Sequence, residues 1–246
     1  MTLLAIDNLS IALPEGSDRD LAVKDMSLTL EKGEILCIVG ESGSGKSMAA
    51  NALMGLLPEG VTPAHGTIMF EGRDLLKLSE RDMLALRGQD ISMIFQEPLS
   101  ALNPLMRIGD QIAEVFEAHD ILTPPERRKR ALALLHEVGL PDPDTTIRAY
   151  PFQLSGGQRQ RVVIAMALAL EPKILIADEP TTALDVTTQA QILDLIEDLR
   201  CNHGMAVLFI THDFGVVADI ADRIMVMQSG EVVESGDADT VLLNPA

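Results

Sequence analysis

Short apolar runs alternate with helical patterns almost from end to end of the chain. "LLAIDNLSIAL" (3–13) and "LAVKDMSLTL" (21–30) are strand-like, with "PEGSD" as the turn between them. "EILCIVG" (34–40), "GTIMFEG" (66–72) and "ISMIF" (91–95) read as further strands. Later come "KILIAD" (173–178), "AVLFIT" (206–211), "DRIMVM" (222–227) and "GEVVES" (230–235). Helices lie between these later strands. Over 187–200, Ile192, Leu195, Ile196 and Leu199 recur at i, i+3, i+4 and i+7, one apolar face. The alternation predicts an α/β fold with a mixed sheet, parallel in its main part, and an antiparallel portion built from the N-terminal hairpin.

The middle breaks this rhythm. From about Glu97 to Leu170 only helical segments are visible, such as "IGDQIAEVFEAHD" and "PERRKRALALLHEVGL". The latter has Pro125 near its start and Gly139 at its close, as helix ends prefer. We read residues 1–246 as one domain, with an α/β core from 1–96 and 171–246 and an inserted helical subdomain over 97–170.

Composition narrows the class. Of the 246 residues 47% are apolar, enough for a substantial core. No apolar run reaches the ~18 residues of a spanning helix, and no signal segment opens the chain, which points to a soluble, cytosolic protein. Cys37 and Cys201 form no CxxC pair and read as reduced, packed thiols. Acidic residues outnumber basic ones 37 to 19, and the net charge of −18 argues against a nucleic-acid partner. The scattered methionines fit gap-filling better than a metal site.

The strand "EILCIV" runs into "GESGSGKS" (40–47). Gly40, four residues, then Gly45-Lys46-Ser47 is the spacing of a loop that cradles phosphates. Backbone N–H groups from Gly40, Glu41, Ser42, Gly43, Ser44 and Gly45 would wrap the anion, Lys46 would reach the terminal phosphates, and Ser47 would bind Mg2+. A helix expected from Lys46 to about Leu57 adds its N-terminal dipole. The strand before and the helix after weigh against a plain Gly/Ser turn. The loop predicts binding of a nucleoside triphosphate.

"KILIADEP" (173–180) ends a strand in two carboxylates, Asp178 placed for Mg2+ and Glu179 for polarising an attacking water. Alone they could equally be a solvated turn. "LSGGQRQR" (154–161) opens a helix with Ser155 at the cap, Gly156 and Gly157 leaving N–H groups uncovered, and Gln158 following: a second anion site, or a bare Ser-Gly-Gly cap. "IFQEP" puts Gln96 at a strand end, where an amide can reach Mg2+ or water. "LFITHDF" puts His212 at another, where it can hydrogen-bond a phosphate, although a lone histidine is more often structural. His65, His119, His136 and His203 keep the structural reading.

Taken in order, 40–47, Gln96, 154–158, 173–179, "ALD" (183–185) and His212 resemble the motif set of ABC-type ATPases. They match the Walker A, Q-loop, signature, Walker B, D-loop and switch-histidine motifs over nearly the whole chain. "QEPLSALNP" (96–104), "AYPFQLSGGQRQR" (149–161) and "ADEPTTALDVTTQAQIL" (177–193) are similar to ATP-binding subunits of bacterial importers for peptides, nickel and related solutes. The resemblance implies ATP and Mg2+ as ligands, with Ser47, Gln96 and Asp178 on the metal, and Glu179, His212 and Gln96 in catalysis. It implies a head-to-tail pair of ATP-binding domains in which Ser155–Gln158 of one closes on the ATP of the other, with Asp185 communicating across the interface. It further implies a membrane permease gripped near "EPLSALNP", a solute-binding protein acting indirectly, and a peripheral place on the cytoplasmic face of the inner membrane. An ABC-type ATPase acting on nucleic acid or ribosomes is the alternative, opposed by the acidic balance and by the short spacer at 48–153. A small-molecule kinase or nucleotide switch has no use for the signature stretch. The chain stops at "LLNPA", short of where the resembling importers continue, as an excised domain would.

One expected group is absent. The resembling ATPases usually stack adenine on an aromatic side chain ahead of the phosphate loop, and by spacing that position falls near Leu13. No Phe, Tyr, Trp or His precedes His65. Unless an aromatic from a partner subunit fills the gap, binding is expected to rest on the triphosphate and Mg2+, with weak choice between ATP and GTP, and an aromatic introduced at Leu13 should tighten it.

Overall fold

Every strand predicted from an apolar run is present in the computed structural model, which describes residues 1–96, 101–182 and 184–244. Part of "EPLSALNP", Ala183 of "ALD" and the closing "PA" lie outside the described residues. In chain order the N-terminal elements are β1 (Thr2–Ala12), β2 (Leu21–Glu31), β3 (Ile35–Val39), α1 (Lys46–Leu53), β4 (Thr62–Phe70), β5 (Arg73–Asp74) and α2 (Glu80–Leu86). The middle holds β6 (Ile91–Ile94), α3 (Ile108–Ala118), α4 (Pro124–Glu137), α5 (Pro143–Thr146), α6 (Gly156–Ala167), β7 (Ile174–Asp178) and α7 (Val186–His203). The chain closes with β8 (Ala206–Thr211), α8 (Phe214–Ile220), β9 (Arg223–Gln228), β10 (Glu231–Asp237) and α9 (Ala238–Leu243). Two compact units divide it: residues up to Leu84 with those from Gly204 onward, and Ala85–His203.

In the first unit β1 and β2 form the antiparallel hairpin, and the antiparallel sheet also recruits β4 and β5, in the order β2-β1-β4-β5. β4 starts at Thr62, earlier than "GTIMFEG" indicates, because Thr62 and Pro63 pair with Ala12 and Ile11. On β2, Met26, Leu28 and Leu30 are buried while Ser27 and Thr29 are exposed, the period-two pattern of a sheet with one wet face. β3 behaves differently. All five of its residues are buried, and it pairs parallel with both β8 and β9, while β9 pairs antiparallel with β10. Strands covered on both faces read as unbroken apolar runs. Each such side chain taken from water contributes roughly 1.5–3 kcal/mol.

The helix after β3 stops at Leu53, short of the expected Leu57. Gly55, at φ 63°, lets the chain turn back, so that its N–H donates to Ala52 and that of Leu56 to Asn51. Short elements without a long periodic signal, β5, α2 and α9, escaped the sequence pattern.

In the second unit β6 and β7 pair parallel, and both are wholly buried. Helices α3 to α6 lie between them, and no strand occurs among the described residues of that stretch. α4 starts one residue before Pro125 and is capped by Thr123, whose N–H and hydroxyl meet the Glu126 carboxylate at 2.8 and 2.6 Å. On α7 the predicted face of Ile192, Leu195, Ile196 and Leu199 is buried. Among the described residues no helix is long and apolar enough to cross a membrane.

Cys201 corrects an expectation: it is exposed, not packed, because two residues past Leu199 the helix has turned its far side to solvent. Cys37 is buried in β3, and that burial pushes its thiol up to about 12. A thiol reagent at pH 8 should therefore modify only Cys201 in the native chain and both cysteines after denaturation. Equal, fast labelling of both thiols in the native chain would place Cys37 outside the core.

Candidate functional site

Parallel pairing aligns strand ends. In the first unit Val39 of β3 lies opposite Thr211 of β8, so Gly40 and His212 are the next residues out of the same edge. Ligand sites of open α/β sheets form outside such carboxyl ends. The loop from Gly40 curls through a turn in which the Ser44 N–H donates to Glu41, and Gly45 caps α1 at φ 106° and ψ −4°. A Cβ on Gly45 would lie 2.5 Å from the Ala22 carbonyl oxygen. Only glycine fits there.

Lys46 is 5% exposed, and its ammonium donates to the carbonyls of Gly40 and Glu41 at 2.7 and 2.9 Å. Ser44 is buried, while Glu41, Ser42, Gly43 and Ser47 are exposed. The first turn of α1 carries no acidic residue, so its positive end is open to an anion. His212 is exposed beyond β8; the next residue, Asp213, donates its N–H to Thr211 and caps α8 through Gly215 at 2.8 Å. Leu13 is half-buried, and its N–H donates to Asp20.

In the second unit Ile94 of β6 lies opposite Ala177 of β7, so Gln96 and the Asp178–Glu179 pair also leave neighbouring strand ends. Asp178 is buried at 6% exposure. Glu179 adopts φ 48°, rare for a residue with a side chain. One of its oxygens, Oε2, accepts from the Gln96 amide at 3.3 Å and from the Thr182 hydroxyl at 2.8 Å. The structure thus brings together Gln96 and Glu179, which are 83 residues apart in sequence. Thr182 was not singled out in the sequence, although a hydroxyl three residues after a carboxylate is a recurrent turn signal.

Ser155 caps α6 as expected. Its Oγ accepts from the Gln158 N–H at 3.3 Å, and the Gln158 side chain accepts from the Ser155 N–H at 2.8 Å, so Gln158 serves the cap. Gly156 is exposed, and Gly157 lies so close to Thr188 that a Cβ there would sit 2.5 Å from its methyl. Asp185 accepts from the Thr188 N–H at 3.0 Å and hydroxyl at 2.7 Å at the start of α7. Those bonds hold its carboxyl below the usual carboxylate range.

Ser47 in the first unit offers a hydroxyl, and Asp178 and Gln96 in the second a carboxylate and an amide oxygen, donor types that suit a hard cation such as Mg2+. Among the described residues no cluster of three or more His, Cys, Asp or Glu side chains could hold a metal.

A family model described as ABC transporter matches residues 23–182. The Peptidoglycan transport ATP-binding protein YejF of Agrobacterium fabrum is 53% identical over 99% of this chain, which spans 45% of that protein. The Oligopeptide transport ATP-binding protein OppD of Bacillus subtilis is 49% identical over 99% of the chain, which spans 68% of it. The chain thus covers between under half and about two thirds of these relatives. A dimeric ATP-binding cassette in a post-hydrolysis state, bound to ADP and Pi, superposes with a TM-score of 0.83 at 31% identity, over 96% of this chain and 98% of the other.

Because the Asp185 carboxyl titrates low in the folded chain, its stabilising effect is complete above the unfolded value of ~3.9 and is lost as pH falls through the folded one. Asp185→Ala should therefore melt below the parent at neutral pH, and the gap should close under acid. A gap that widens below pH 4 would show that the carboxylate is not what caps α7.

Proposed function

Because this chain belongs to the ABC transporter family, we propose that it binds ATP with Mg2+ and hydrolyses it to drive solute import through a membrane permease. The observation that carries the catalytic half is the Glu179 carboxylate held at the end of β7 by Gln96 and Thr182. The names of the relatives support peptide-class solutes over the alternative of an ATPase working on nucleic acid or ribosomes, as does the net charge of −18.

In this reading the N–H groups of residues 40–47 bind the phosphates, and Lys46 exchanges its loop carbonyls for phosphate oxygens. Ser47, Asp178 and Gln96 would hold Mg2+, which when bound would offset charge on the phosphates. Glu179 takes a proton from water as the water oxygen bonds to the terminal phosphorus and ADP leaves; His212 and Gln96 steady the charge that develops. Ser155, Gly156, Gly157 and Gln158 act on the nucleotide of a second ATP-binding domain, and Asp185 links the two sites. The core of 1–96 and 171–246 and the helical insert of 97–170 are the parts that this closure works through. The stretch "EPLSALNP" grips the permease at the cytoplasmic face of the membrane, with a solute-binding protein on the other side.

Glu179→Gln should keep ATP binding and lose nearly all turnover, since an amide cannot take the proton, whereas Lys46→Ala should weaken binding itself. Nucleotide titration beside phosphate release separates the two, and near-parental turnover in Glu179→Gln would remove Glu179 from the mechanism. Mixing Lys46→Ala with Ser155→Arg should restore hydrolysis that neither variant has alone, because a mixed pair holds one intact composite site. Silence of the mixture, with pairing demonstrated by sedimentation, would refute action in trans.

A further inference from the structure

The loop between β1 and β2 solves a problem that the sequence leaves open. Its base is closed by the Leu13 N–H donating to Asp20 at 2.9 Å, and inside it the Ser17 N–H and hydroxyl both donate to the Pro14 carbonyl. Arg19, half-buried, leaves this closed loop and donates from Nη2 to the Gly43 carbonyl of the phosphate loop at 2.5 Å. It has Asp18 and Asp20 as chain neighbours, in a protein with 37 acidic residues against 19 basic ones. Yet among the described residues it forms no ion pair, and its recorded partner is a neutral carbonyl.

That choice places a planar cation on the rim of the candidate nucleotide site. A triphosphate fills such a loop, and the base must lie beyond it, against whatever the rim supplies. Among the described residues, Ala22, Val23, Met227, Gly230 and Arg19 lie against the loop. Of these five only Arg19 has a flat, delocalised surface, and no aromatic residue precedes His65 to compete with it. On the Cα side of Gly43 an added Cβ would meet nothing within 4 Å, so this part of the rim is open. Guanidinium planes stack on nucleobases much as aromatic rings do. One donor bond to Gly43 fixes the group in place and leaves its faces available.

We propose that Arg19 is the base-contacting residue of this site, its guanidinium tethered to Gly43 and stacked on the purine of the bound nucleotide. This rests on the nucleotide-binding reading above and adds the residue that this reading lacks. Leu13, the position reached by spacing, becomes a strand-end residue whose main chain closes the loop that presents Arg19.

The test titrates the parent, Arg19→Ala, Arg19→Lys and Arg19→Tyr with Mg-ATP and with inorganic tripolyphosphate, after thermal melts have shown each variant folded. Arg19→Ala should weaken ATP binding by roughly ten-fold, the scale of a lost base stack, and leave tripolyphosphate binding unchanged. Arg19→Tyr should restore ATP affinity, and Arg19→Lys, which keeps the charge but not the plane, should not. An equal loss for ATP and tripolyphosphate, with recovery in Arg19→Lys, would make Arg19 a phosphate contact and overturn the proposal. Unchanged ATP affinity in Arg19→Ala would overturn it as well. A parent that binds neither probe would instead defeat the nucleotide-binding reading on which the proposal stands.

Discussion

A buried ammonium group sets the terms for the phosphate loop. Lys46 is 5% exposed, and a charge so far from water is costly unless oxygen atoms surround it. The carbonyls of Gly40 and Glu41 take that role, so the loop must curl tightly enough to bring them over its own lysine. The curl recruits distant chain. Ala22 of β2 abuts Gly45, the Gly230 N–H donates to the Ser44 carbonyl, and the Lys24 N–H donates to that of Gly230. Loop shape is thus held by β2, β3 and the β9–β10 turn together. A phosphate would give Lys46 a stronger acceptor than a carbonyl without a fresh desolvation cost, because the charge is already out of water. The strain of arranging the site is met on folding rather than on binding.

The same economy of placement governs the strands. β3 in one unit is apolar throughout, β8 beside it and β6 and β7 in the other unit are apolar but for Thr211, Ser92 and Asp178, and all four are buried. Polar groups inside such strands find few partners, so most of them collect where the strand ends. Parallel pairing of Val39 with Thr211, and of Ile94 with Ala177, then brings two loops out at one edge in each unit. A slip of one residue would invert every side chain along the strand and move Asp178 or His212 away from the loop it now lies beside. The register that fills the core also sets where the candidate site residues emerge.

This explains what could be read without coordinates. Long apolar runs and a phosphate-loop spacing are local, so β3, β7, β8 and the start of α1 stand out in the sequence, as do Ser155 at its cap and the apolar face of α7. Boundaries that depend on a partner do not. β4 begins at Thr62 only because β1 is there to pair with it. Cys201 lies off the buried face by a rotation that a composition argument ignores. Glu179 meets Gln96 through a fold that spans 83 residues. Arg19 sits in a polar loop with no periodic signal, and its bond to Gly43 follows from how that loop closes, which no spacing rule encodes.

Four residues proposed for chemistry also serve their own backbone or turn, each through a partner three positions away. Ser155 and Gln158 cap α6, Asp185 and Thr188 cap α7, and Glu179 accepts the hydroxyl of Thr182. Such bonds restrict rotamers before any ligand arrives, which lowers the entropy cost of binding. They also couple function to local order. Removing Ser155 or Asp185 disturbs a helix start as well as a contact, so loss of activity alone cannot distinguish the two. For Glu179 the separation is cleaner. Its amide analogue can still accept from Thr182 and Gln96, so that substitution leaves the turn its bonds and removes only the proposed base.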